Sequence, residues 1–157
     1  MIEITAAALA AHPMLHGMPA DHLAVLAGSA SDVAFPAGHR LFEEGGSASH
    51  FWLLQSGSVA LDLHVPGQGR VRIDTVGPGE LLGWSWRFAP YRWVFGAIAA
   101  SPVEAFEFDA QAIRASCASE PEFGHEVTER LARVMAKRLQ STRLRLVNAS
   151  IHPVGTR

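Results

Sequence analysis

Between Val76 and Trp93 the chain concentrates the residue types that could hold a small molecule. Val76-Gly-Pro-Gly-Glu-Leu-Leu-Gly83 presents one carboxylate, Glu80, in a Pro/Gly turn between apolar residues. Trp84, Trp86, Phe88, Tyr91, Arg92 and Trp93 follow, including three of the four Trp and the only Tyr. A carboxylate accepts hydrogen bonds from hydroxyls, aromatic faces stack on planar groups and a guanidinium pairs with an anion, which together describe a ligand pocket.

The other candidate groups point away from catalysis. His12, His16 and His22 straddle the breakers His12-Pro13 and Gly17-Met18-Pro19, so they share no face and read as surface or partly packed imidazoles. His39, His50 and His64 are too far apart in sequence for the clustered His of a metal-dependent jelly-roll enzyme. Glu43 and Glu44 are adjacent, and neighbouring strand residues face opposite ways, which is poor geometry for paired acid–base work. Cys117 reads as a small buried apolar residue. Neither a nucleophile elbow nor a phosphate loop is found, and no enzymatic activity is expected.

These residues belong to a chain of 157 residues, 48% of them hydrophobic and 18% charged, with a net charge of -2. That composition suits one globular domain with a sizeable core and gives no chain-wide basic surface for nucleic acid. No apolar run is long enough to cross a membrane and the start lacks the basic region of a signal peptide, so a cytoplasmic protein is expected.

Four segments must position the ring-rich stretch. Residues 1–30 are Ala/Leu-rich with Pro and Gly breaks and predict short helices, the second capped by Asp21. Residues 31–109 predict a barrel. Val59, Leu61, Leu63 and Val65 alternate with smaller or polar residues, as do residues 70–76 across the turn Pro66-Gly67-Gln68-Gly69, which reads as a hairpin. Residues 94–100 and 103–108 supply two more strands, and about eight Gly-punctuated strands predict an antiparallel β-jelly-roll barrel, mainly β with flanking α. Residues 110–150 predict two helices, one capped by Asp109 and one long, from Glu122 to Asn148. In the latter Phe123, Val127, Leu131, Met135, Leu139, Thr142 and Leu146 form an apolar stripe, flanked by Arg and Lys that read as a solvated face. At roughly 40 Å that helix outruns a small barrel, so residues 122–148 are expected to form a homodimer. Residues 151–157 read as a tail.

Gly38-His-Arg-Leu-Phe-Glu-Glu-Gly45, Phe51-Trp-Leu-Leu-Gln-Ser-Gly57-Ser-Val59 and Gly77-Pro-Gly79-Glu80-Leu81-Leu82-Gly83 resemble, in order and spacing, three landmarks of cyclic-nucleotide-binding domains. Lys137-Arg138-Leu139-Gln140-Ser141-Thr142 is similar to the dimer helix of bacterial catabolite-activator-like regulators. The resemblance spans roughly residues 20 to 148 and implies a jelly-roll sensor, in a single-domain form lacking the helix-turn-helix.

The resemblance also implies roles. Glu80 of Gly79-Glu80-Leu81 would accept from a ribose hydroxyl, and the amides of Leu81 and Leu82 would bind the cyclic phosphate. Arg92, or alternatively Arg87, would pair with that phosphate, and Thr142 would meet the base. Where the family has a small hydroxyl residue and then Ala, this chain has Trp93-Val94. Cyclic AMP or cyclic GMP is the implied ligand, and a protein the implied partner. Only about seven residues follow the long helix, so direct DNA binding is not expected. The alternatives are a barrel plugged by Trp84, Trp86 or Trp93 that serves as a dimeric interaction scaffold, or a pocket for another small anionic or aromatic ligand.

Overall fold

The computed structural model describes residues 3–151, so the tail beyond Ile151 lies outside the described residues. Two short helices, α1 (Ala6–Ala10) and α2 (Ala20–Ala27), precede eight strands: β1 (Ala30–Phe35), β2 (Arg40–Phe42), β3 (His50–Ser56), β4 (Val59–Val65), β5 (Gly69–Val76), β6 (Leu81–Leu82), β7 (Gly96–Ala99) and β8 (Val103–Asp109). Helices α3 (Ala110–Ser119) and α4 (Pro121–Ile151) follow. The strands form two antiparallel four-stranded sheets, in the orders β1-β8-β3-β6 and β2-β7-β4-β5. This is the jelly-roll barrel with flanking helices.

Helix ends follow local chemistry. Asp109 caps α3, its carboxylate accepting from the Ala112 amide at 3.2 Å. Asp21 does not cap α2: the cap position is Pro19, and Asp21 lies in the first turn, where its charge faces the positive helix end. Helix α4 runs 31 residues, further at both ends than the pattern over 122–148 predicts. Gly124 permits its contact with α3, since a Cβ there would lie 2.7 Å from the Cys117 carbonyl oxygen. Cys117 is buried in that contact, and burial pushes its thiol pKa up against the pull of Arg87, as befits an inert packing residue.

The hairpin alternation is interrupted by a bulge between Leu61 and Asp62. Asp62 becomes buried and is held by Arg40 of β2 in a fork, at 2.7 and 3.1 Å. Gly96, opposite Asp62, leaves room for that pair, because a Cβ would lie 2.5 Å from the carboxylate. Strand β7 therefore begins at Gly96 and not at Val94 as expected, while the Trp93 backbone bonds to Gly45 and Gly46. Glu43 and Glu44 are structural: Glu43 pairs with Arg40 and Arg70, and Glu44 accepts from the His64 amide.

The N-terminal segment is tied to the barrel by His12, one of the few buried polar residues. One ring nitrogen, Nε2, lies 2.8 Å from the Leu54 carbonyl oxygen, and Nδ1 accepts from the Met14 amide at 3.1 Å. A neutral imidazole satisfies both partners, whereas protonation would set Nδ1–H against an N–H donor. Burial accordingly holds the His12 pKa below the ordinary 6.5, with the Leu54 bond opposing it. In the unfolded chain this His binds its proton more readily, so its contribution is complete above pH 6.5 and lost as pH falls through the depressed value. Thermal unfolding at pH 7.5 and 5.5 should show wild type losing more stability on acidification than a His12→Gln protein. Equal losses in the two would refute this role.

Candidate functional site

The loop from Gly83 to Phe95 is anchored at two places, which decides where its rings point. Trp86 is fully buried and stacks on Phe51 at 4.3 Å, its indole N–H donating to the Gly83 carbonyl at 3.2 Å. Trp93 is 4% exposed and stacks on Phe42 at 3.9 Å and Trp52 at 6.2 Å, bridging the two sheets. Gly83 makes this possible: its φ is +95°, and a Cβ would lie 2.7 Å from the Trp93 ring. Trp84 is left half-buried, edge-on to Phe95 at 6.4 Å.

A cavity of about 770 Å³ opens between β4–β5, the loop and α4. Leu61, Ile73, Trp84 and Phe95 form the barrel wall, and Met135, Leu139, Thr142 and Leu146 form the helix wall. Its volume lies in the range of small-molecule sites. No Trp plugs it: two of the loop's three indoles are packed into cores and the third forms part of the wall.

Of the residues to which the resemblance gives a ligand contact, only Thr142 lines this cavity, and of the aromatic run singled out in the sequence only Trp84 does. Glu80 is exposed and its carboxylate accepts from the Gly77 amide at 2.7 Å, so it closes its own turn. Gly79, at φ +81°, donates its amide to the Leu54 carbonyl and packs beside Pro13. Leu81 and Leu82 are β6, buried and paired with Leu53 and Trp52, and so do not form an open amide nest. Arg92 is exposed and donates to the Gly45 carbonyl at 3.2 Å, and Val94 is exposed. Arg87 turns toward α3 near Cys117, its Nε without a partner. The segment 79–94 supplies the cavity with Trp84 alone, because strand pairing and indole burial consume its other groups.

The cations of the cavity come from α4. Arg138 donates to the Leu81 carbonyl at 2.7 Å, and Arg145 donates to the Ile73 carbonyl at 2.8 Å. Arg130, one turn-pair earlier, reaches the Met14 carbonyl at 2.8 Å. These three arginines, spaced by eight and seven, staple α4 to the body and are not the solvated face that their charge suggested. Arg145 also stands 3.5 Å from Asp74, the one acidic residue of the lining. Burial lowers the Arg138 pKa, against the attraction of Asp74 and Glu80. The signal for these residues was present in sequence, since Arg138, Thr142 and Arg145 step by four and three and so share a face. Nothing local shows that the barrel covers that face.

The family model of the cyclic nucleotide-binding domain matches residues 32–120, more than half of the chain. The chain belongs to that family. Over 135 residues it is 31% identical to the CRP-like cAMP-activated global transcriptional regulator of Mycobacterium tuberculosis, covering 85% of this chain and 58% of that protein. The chain thus spans little more than half of that relative's length. A solved protein of Geobacter metallireducens GS-15 superimposes with a TM-score of 0.79 at 23% identity, covering 87% of this chain and 98% of that one. The regulatory domain of Toxoplasma gondii PKA, solved with cAMP, gives a TM-score of 0.66 at 16% identity over 82% and 48%. Such identities establish the shared fold. The family match ends at residue 120, so the helix wall of the cavity lies beyond it. Among the described residues no helix is long and apolar enough to cross a membrane.

Proposed function

We propose that this family member is a cytoplasmic ligand-responsive regulatory domain whose effector occupies the cavity beneath α4. The observation that carries the reading is the cavity itself, with the barrel as one wall and the long helix as the other. A molecule bound there touches both walls, so it favours whichever pose of α4 it fits better and shifts the population accordingly. Cyclic AMP and cyclic GMP are the first effectors to test, given the cAMP-activated relative and the cAMP-bound neighbour. Thr142 stays the proposed contact from the helix, while Glu80, Arg92, Trp93 and Val94 act through the shape of the loop.

The output we propose is a protein surface, formed by a homodimer or a protein partner and not by direct contact with DNA. The far side of α4 supports this, since Leu144, Val147 and Ile151 are all more than half exposed and step by three and four along one stripe. Light scattering at micromolar concentration should give a dimer mass, and Leu144→Glu with Val147→Glu should give a monomer. A wild-type monomer would remove α4 as the dimer helix.

Calorimetry with each cyclic nucleotide, together with amide exchange along α4, tests the sensor itself. Binding with altered exchange over 135–146 is expected. Binding that leaves α4 exchange unchanged would separate the cavity from the helix and overturn the coupling.

A further inference from the structure

The effector's chemical class can be read from the cavity lining. Apolar and aromatic side chains dominate: Leu61, Ile73, Trp84, Phe95, Leu139 and Leu146. Among the lining residues, the side chains able to bind polar groups are Thr142, Asp74, Arg138, Arg145 and, through its indole N–H, Trp84. Asp74 is engaged by Arg145, and the Thr142 hydroxyl already donates to the Arg138 carbonyl at 2.9 Å. Arg138 uses a single guanidinium N–H, on the Leu81 carbonyl, of the five it carries. Two cations against one carboxylate leave the lining with one net positive charge, which matches a monoanion and not a dianion.

A cyclic nucleotide fits this lining less well than an apolar anion does. Its base edges and sugar hydroxyls would need several hydrogen-bond partners, and polar groups buried without partners are strongly disfavoured. An apolar body would instead lie on Trp84, Phe95 and Leu61. A planar two-oxygen anion presents the geometry that a guanidinium fork binds best.

Resting on the sensor reading above, we infer that the effector is an amphipathic carboxylate, with an apolar or aromatic body against the barrel wall and its anionic group received by Arg138 and Arg145 of α4. Those two arginines are then specificity-determining residues. They are also the staples to the Leu81 and Ile73 carbonyls, so an anion that draws them inward loosens α4 at the same two points.

Calorimetry on the full chain with octanoate and 2-naphthoate, beside their methyl esters and cyclic AMP, tests the class. The carboxylates should bind, and the uncharged esters should bind at least tenfold more weakly. Arg138→Gln and Arg145→Gln should each weaken the carboxylates by about ten- to hundredfold. Because those changes also remove staples, Leu139→Trp, which narrows the cavity from an exposed helix position, should weaken carboxylate binding with the staples intact. Arg133→Gln, on the far face of α4 and paired with Glu129, should bind as wild type. Tighter binding of cyclic AMP than of either carboxylate would overturn the class and leave the sensor reading standing. Equal binding of acid and ester, or carboxylate binding undiminished by Leu139→Trp, would also overturn the class. No binding by any of the five compounds would overturn the class and remove the support for a sensor.

Discussion

Replacing Trp93 with Ala is expected to destabilise the fold by about 3–5 kcal/mol, the usual range for truncating a buried indole, while leaving the α4 cavity open. Trp93 is almost wholly buried, stacks on Phe42 and Trp52, and so joins the two sheets at one point. Removal leaves a void that rigid strands β2 and β3 cannot close. A domain of this size has about 5–15 kcal/mol in total, so the loss is a large fraction of the whole. Chemical denaturation with Trp93→Ala and Trp93→Phe measures it, and Phe should recover much of the loss by keeping the stack. The residue does not line the cavity, so any ligand that wild type binds should still bind below the unfolding transition. A small stability loss combined with abolished binding would place Trp93 in the site after all.

Gly83→Ala is expected to cost about 2–4 kcal/mol, from left-handed backbone strain and overpacking together. The new Cβ would fall 2.7 Å from the tip of the Trp93 ring, at a φ of +95° that L side chains avoid. The two effects separate in a double-mutant cycle. With Trp93 already Ala, the steric part vanishes and only the backbone strain remains, so the pair should be less harmful than the sum by about 0.5–3 kcal/mol. Additivity within about 0.5 kcal/mol would mean that the glycine answers to its backbone alone. Thermal midpoints of the four proteins decide the matter. The result would show why the loop after β6 carries glycine and indole ten residues apart.

The family was legible in the order of residues alone, because its signals are local. Gly38, Gly45, Gly57, Gly79 and Gly83 all adopt positive φ, and each ends or bends a segment where the sequence pattern placed a turn. Period-two alternation located the β4–β5 hairpin, and the capping carboxylate of Asp109 located α3. Backbone conformation and amphipathic period depend on near neighbours in the chain, so sequence carries them.

What sequence alone could not decide was direction. Glu80 looked like a ligand acid, yet its carboxylate accepts from the Gly77 amide in its own turn. Arg92 and Trp93 looked like a clamp and its neighbour, yet one is spent at the surface on Gly45 and the other is buried between sheets. Arg138 and Arg145 looked like solvated charges, yet each reaches a strand carbonyl of the barrel. Composition and spacing determined the barrel, the long helix and the concentration of rings that precedes it. Only the packing of α4 against β4–β5 decided which side chains share a cavity, because that contact joins residues as far apart in the chain as Ile73 and Arg145, 72 positions from one another.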